Sequence, residues 1–173
     1  MIYLNNHTSK SQWCCTDNDG DGLWFNKEYP ELLFYEIMEM ITKRYKDNPR
    51  IIGMDLRNEI RSSSEGKPTW GDGSKTDWKL AAETIGNKIL KIAPHWLIIV
   101  GGLQYQLDLT GVKDNPVKLD IPSKLVYSGH FYGFSWATDH VWKFMSEDWF
   151  KEKLFNDQLY VRGLDLGHPF IFG

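Results

Sequence analysis

The chain has 173 residues, 42% of them hydrophobic, enough for one domain with a substantial core. Its 20 Lys and Arg against 23 Asp and Glu give a formal net charge of −3 with no basic stripe, which argues against a nucleic-acid partner. The longest apolar runs, such as "WLIIVGGL", are far too short to span a bilayer, and the start "MIYLNNHTSK" has neither the basic residues nor the apolar run of a signal peptide.

Strand-like and helix-like segments alternate from the first residues. "MIYLNN" is β-prone. A helix is predicted over Glu31 to Lys46, where Leu33, Ile37, Met40, Ile41 and Tyr45 recur at three-to-four spacing, with Pro30 near its start and "DNP" stopping it. "RIIGMDL" is a second strand, running into "RNEIR". A second helix is predicted from about Asp77 to Ile92, with Trp78, Ala81, Ala82, Ile85 and Ile89 on one face and Pro94 beyond its end. "WLIIVGG" is apolar on both faces, as buried parallel strands are, and "KLVYSGHFY" is a fourth strand. An aromatic helix from about Glu147 to Leu159 precedes a last apolar run, "PFIFG". Five strands with helical crossovers predict an α/β fold with a parallel sheet in a single domain spanning 1–173.

Between the first strand and the first helix lies "DNDGDGLWFNKE". Asp17, Asp19, Asp21 and Glu28 occupy positions one, three, five and twelve of an EF-hand spacing, with Gly22 at position six. The flanks do not fit: a strand and a Trp-Cys-Cys segment enter, Phe25 stands at position nine, and Pro30 would fall inside the exiting helix. The expectation is a polar rim loop presenting Trp13, Trp24 and Phe25, with calcium at Asp17, Asp19, Asp21 and Glu28 as the weaker reading. Cys14 and Cys15 are adjacent and cannot staple distant loops. A vicinal disulfide, two free thiols, or partners elsewhere in a longer sequence all remain open, and zinc is poorly supported.

Parallel sheets place their chemistry at the C-terminal ends of strands. Here the first strand runs into Asn6-His7, the second into Asn58-Glu59, the third into Gly101-Gly102 before Gln104, and the fourth into His130-Phe131-Tyr132. Glu59 is the leading candidate for chemistry, since a carboxyl partly shielded at such a mouth suits a general acid near neutral pH. Asn58 beside it can donate an amide hydrogen bond to a substrate hydroxyl. The competing reading of that pair is a loop cap that pairs with Arg57 or Arg61. A metal set of His7, His130 and Glu59 lacks H-x-x-x-H spacing. Eight Trp, eight Tyr and nine Phe fit either a large aromatic core or an aromatic-lined cleft that stacks on sugar rings.

The segments "YLNNHTSKSQWCC", "IIGMDLRNEIR", "TDWKLAAETIGNKIL" and "KLVYSGHFYGFSW", in that order, resemble glycoside hydrolase family five, and most closely its endo-β-1,4-glucanase (cellulase) branch. The resemblance covers nearly the whole chain, and "NE" ending a strand after "GMDLR" is its most specific part. It implies an incomplete (β/α)8 TIM barrel, with about five parallel strands equivalent to strands three to seven. Glu59 takes the place of the family's acid/base, and Asn58 that of the neighbour holding the sugar 2-hydroxyl. His7, His130 and Tyr132 match strand-end substrate contacts, and Trp136 lies where aromatics line the cleft. The family's nucleophilic glutamate would follow "PFIFG" directly, so the chain reads as an internal fragment, weakly active or inactive by itself.

The resemblance further implies retaining hydrolysis of β-1,4-glucans, no cofactor, and secretion. Open barrel edges favour self-association. The alternatives are a non-catalytic β-glucan-binding module, a mannan-active member of the same family, and a calcium-binding structural domain.

Overall fold

The structure is a computed structural model and describes residues 1–130, 146–154 and 169–172. All five predicted strands form: β1 (Ile2–Asn5), β2 (Ile51–Asp55), β3 (Leu97–Gly101), β4 (Leu125–Gly129) and β5 (Phe170–Phe172). They make one parallel sheet in the order β1-β2-β3-β4-β5, so every neighbour in the sheet is the next strand in sequence. That order, with helices in the crossovers, is the winding of a (β/α)8 barrel. The register pairs Asn5 with Asp55, Asp55 with Ile99, and Gly101 with Ser128, which brings the strand ends to one level.

The first crossover contains α1 (Glu31–Tyr45) and the second α2 (Trp78–Ile92). Pro30 sits at the N-cap of α1 rather than within it, where its missing N–H costs nothing. The buried stripe of α1 is Phe34, Met38 and Thr42, one residue along from the predicted set. Leu33, Ile37, Ile41 and Tyr45 flank it half-buried, and Met40 is 61% exposed. On α2 the prediction holds: Trp78, Ala81, Ala82, Ile85 and Ile89 are all buried. Asp77 caps it, accepting from the Leu80 N–H at 3.1 Å and from the N–H groups of Gly71 and Gly73 at 2.8 Å each, so one carboxylate starts the helix and closes the loop before it.

Beyond β3 the chain makes one short turn, α3 (Leu103–Gln106), left-handed at Gln104, Tyr105 and Gln106, with φ of 49°, 62° and 61°. Alternating polar and apolar residues gave no warning of it. The final helix, α4, covers Glu147–Leu154, and the predicted continuation to Leu159 lies outside the described residues. The core lies between the sheet and the two long helices, around Met54, Ile98, Val100, Trp78, Ile85, Ile89 and Trp96. Among the described residues no helix is long and apolar enough to cross a membrane.

The rim loop corrects one expectation. Trp13 is 84% exposed, but Trp24 and Phe25 are buried, with Trp24 packed 5.3 Å from the Trp78 ring and donating from Nε1 to Glu31. The loop folds down over the top of the core instead of presenting these rings, because its carboxylates are drawn to the arginines that follow β2.

Candidate active site

The four candidate side chains His7, Asn58, Glu59 and His130 meet in two pairs. Glu59 Oε1 lies 2.8 Å from His130 Nδ1, across the gap between the ends of β2 and β4, and both side chains keep a small exposed surface. This pairing displaces the reading in which the carboxylate pairs with Arg57 or Arg61. Arg61 instead donates to the backbone carbonyl of Glu59 at 2.8 Å. Asn58 Nδ2 lies 3.4 Å from His7 Nε2, and His7 Nδ1 lies 3.0 Å from Asn5 Oδ1. Asn5 Nδ2 donates to Asp55 Oδ2 at 2.8 Å. With the Asn58 amide donating, Nε2 of His7 accepts and Nδ1 carries the proton, so the directions are consistent along the whole chain from Asn58 to Asp55.

Asn58 was expected to offer its amide N–H to a substrate. That nitrogen already faces His7 and both cysteine sulfurs, while its carbonyl oxygen has no donor among the described residues. Tyr132 and Trp136 lie outside the described residues. The set of His7, His130 and Glu59 does not converge on one point: His7 joins Asn5 and Asn58, and His130 joins Glu59.

Several residues went unforeseen. Gln106 is fully buried; its Oε1 accepts from the Glu59 N–H at 2.9 Å, and its Nε2 donates to Ser128 Oγ at 3.2 Å. Its own carbonyl accepts from the His130 N–H at 3.1 Å. Glu59 itself has φ of 47°, a conformation sparsely populated by non-glycine residues and typical of sites held by their surroundings. Gly101 leaves room for Gln106, since a Cβ there would lie 2.5 Å from its side chain. Asp55 is buried, and burial pushes its carboxyl up to about 6 despite the Asn5 hydrogen bond, the nearby His130 and the backbone N–H of Arg57. No sequence signal marks Gln106, but Asp55 could have been found as an acid inside an apolar strand.

The EF-hand spacing dissolves into other bonds. Asp21 forms a buried ion pair with Arg57 at 2.7 Å and accepts from the Ser9 N–H at 2.8 Å. Asp19 is bound to Arg61, Asp17 accepts from the Tyr105 hydroxyl, and exposed Glu28 pairs with Lys10. Burial raises the Asp19 pKa, but the Thr16 and Asp21 N–H groups and Arg61 together hold it below its ordinary value. Gly22 serves close approach rather than a calcium turn: a Cβ there would lie 2.6 Å from the Arg61 carbonyl. The structure joins the cysteines as a vicinal disulfide, one of the three states left open by the sequence.

Polar side chains gathered at one end of a parallel, sequentially wound β/α sheet define part of a (β/α)8 barrel with its site on the catalytic face of that fold. The sequence profile of cellulase (glycosyl hydrolase family 5) matches residues 2–168, and the chain belongs to that family. An endoglucanase of Paenibacillus polymyxa is 38% identical over 149 residues, which is 79% of this chain and 34% of the relative. The major extracellular endoglucanase of Xanthomonas campestris pv. campestris is 38% identical over 96 residues, 55% of this chain and 17% of the relative. The endocellulase of Pyrococcus horikoshii, solved in complex with cellotetraose, superposes with a TM-score of 0.81 at 31% identity, over 99% of this chain and 52% of that one. The chain thus spans about a third or less of these curated relatives and about half of the solved structure.

Proposed function

We propose that this chain carries the acid/base half of a cellulase that hydrolyses β-1,4-glucosidic bonds with retention. The observation that carries the reading is Glu59 paired with His130 at the mouth of the sheet, with Asn58 beside it. As a general acid, Glu59 protonates the leaving glycosidic oxygen. It then deprotonates the water that releases the product, passing between charged and neutral states against one fixed partner. His130, held through Gln106, keeps the carboxyl pointed at the bond to be cleaved. Asn58 and His7 hold a sugar hydroxyl, and the family resemblance assigns Tyr132 and Trp136 to substrate contact.

Retention needs a second carboxylate about 5–5.5 Å from the first. The chain spans about half of the solved Pyrococcus structure, so the reaction proposed is that of the complete barrel. The cellotetraose bound by the Pyrococcus endocellulase supports a β-glucan substrate, and the extracellular Xanthomonas relative supports action outside the cell. No cofactor enters the scheme. The test follows the anomer first released from cellotetraose by a version of this chain with the complete barrel, using proton NMR. A β-anomer appearing before mutarotation supports retaining hydrolysis. An α-anomer first, or no product, overturns it.

A further inference from the structure

The Cys14–Cys15 disulfide joins sequence neighbours and closes no loop. It therefore offers almost none of the chain-entropy stabilisation by which disulfides hold folds together. Neither cysteine belongs to the buried apolar cluster, and both are half-buried. Their sulfurs stand at the strand mouths. Asn58 Nδ2 is 3.7 Å from Cys14 Sγ and 3.6 Å from Cys15 Sγ, and both sulfurs lie within 4.8 Å of a Glu59 carboxylate oxygen.

The same three side chains could in principle ligate a soft metal, but thiolates are the ligands of metals and a disulfide has none. In the bonded state the pair is a small, neutral, polarizable surface with little hydrogen-bonding power. It is the apolar member of a ring of polar groups made by Asn58, His7 and Glu59. A β-glucosyl unit has the complementary chemistry, with hydroxyls around its edge and axial C–H bonds on its faces. Aromatic rings are the usual partner of such a face; Trp24 and Phe25 of this loop are turned into the core, while Trp13, next to Cys14, is 84% exposed.

We propose that the Cys14–Cys15 disulfide is a sugar-binding platform, its two sulfurs packing against the C–H face of the glucosyl ring whose hydroxyl Asn58 holds. The proposal rests on the β-glucan reading above. It assigns the disulfide to ligand binding rather than to folding. Reduction to two thiols frees the sulfurs to turn apart and removes the fixed surface.

The test titrates cellotetraose into a complete-barrel version of the chain by calorimetry and follows the Asn58 and Glu59 amide signals by NMR. Four samples are compared: oxidised wild type, wild type reduced with a phosphine, Cys14→Ser/Cys15→Ser, and Asn58→Ala. The expected result is affinity about tenfold weaker, or ~1.4 kcal/mol, on reduction and in the double serine variant. Reoxidation restores binding in the wild type. If the double variant does not fold, the reduction and reoxidation cycle decides. Affinity that is unchanged by reduction but weakened in Asn58→Ala overturns the platform and leaves the glucan reading standing. Absence of binding by the oxidised wild type at millimolar cellotetraose overturns both.

Discussion

The side-chain carbonyl of Gln106 accepts the backbone N–H of Glu59 at 2.9 Å, while the backbone carbonyl of the same glutamine accepts the N–H of His130 at 3.1 Å. One buried residue after β3 thereby fixes both members of the Glu59–His130 pair, which arrive from β2 and β4. Its left-handed backbone is the cost of facing both ways. Replacing Gln106 with Met keeps the volume and removes the side-chain bonds, leaving the Glu59 N–H unpaired. In a complete-barrel version of the chain, kcat should fall about tenfold or more with a smaller change in KM, since misplacement by an ångström can cost ~100-fold. The Glu59 amide signal should shift. A kcat within twofold of wild type with an unmoved Glu59 amide would contradict this role.

The rim loop is anchored by the Asp21–Arg57 pair, each side chain 1% exposed. Removing one partner strands the other charge away from water, a cost of about 3–5 kcal/mol for a buried pair. Asp21→Ala should therefore lower the thermal midpoint by roughly 10 °C in a domain of this size. Calcium should not substitute for this anchor. A specific site at a hundredfold its dissociation constant would add about 2.7 kcal/mol, so midpoints in calcium and in excess EDTA should agree within a degree. A rise of several degrees in calcium would restore the EF-hand reading of Asp17 to Glu28.

Much of this was legible in the sequence. Alternating apolar runs and helical periodicity located five strands and both long helices, because burial on both faces of a parallel strand and on one face of a helix leaves a regular pattern. The strand-end rule then gathered His7, Asn58, Glu59 and His130 from distant positions. What stayed hidden depends on single conformations. The left-handed turn at Gln104 to Gln106 leaves no periodic trace. The inward turn of Trp24 and Phe25 follows from where Asp19 and Asp21 find Arg61 and Arg57, more than 30 residues on. The buried stripe of α1 is one residue off for a similar reason: Leu33, Ile37 and Ile41 are apolar, but only Phe34, Met38 and Thr42 point squarely at the sheet.

Asp55 gives the stability of the chain a defined pH dependence. Unfolded, its carboxyl ionises near 3.8; folded, burial moves it to about 6. Between these values the unfolded chain releases its proton first, so stability is fully present below about 3.8 and is lost as pH rises through 6. The loss is on the order of 3 kcal/mol. Asp55→Asn removes it while keeping a partner for Asn5. The midpoint of the variant relative to wild type should rise by several degrees between pH 4 and pH 7. A difference independent of pH would show that Asp55 ionises as freely in the fold as outside it.

Among the described residues the two outer strands, β1 and β5, each pair on one side only, and Ile2 and Tyr3 of β1 are 54% and 45% exposed. Unpaired strand edges with apolar side chains recruit further strands. The chain by itself should elute as a dimer or larger species, with mass rising with concentration in light scattering. Adding the remaining barrel strands as a separate polypeptide should reduce that association. A monomer at all concentrations would mean the edges are already covered.

The role of Glu59 is tested most directly by turnover of carboxymethylcellulose by a complete-barrel version carrying Glu59→Gln. Glutamine keeps the shape and the contact with His130 but has no proton to give the leaving oxygen. The account predicts a loss of about two to four orders of magnitude in kcat, the usual worth of general acid catalysis. Turnover within threefold of wild type would contradict it.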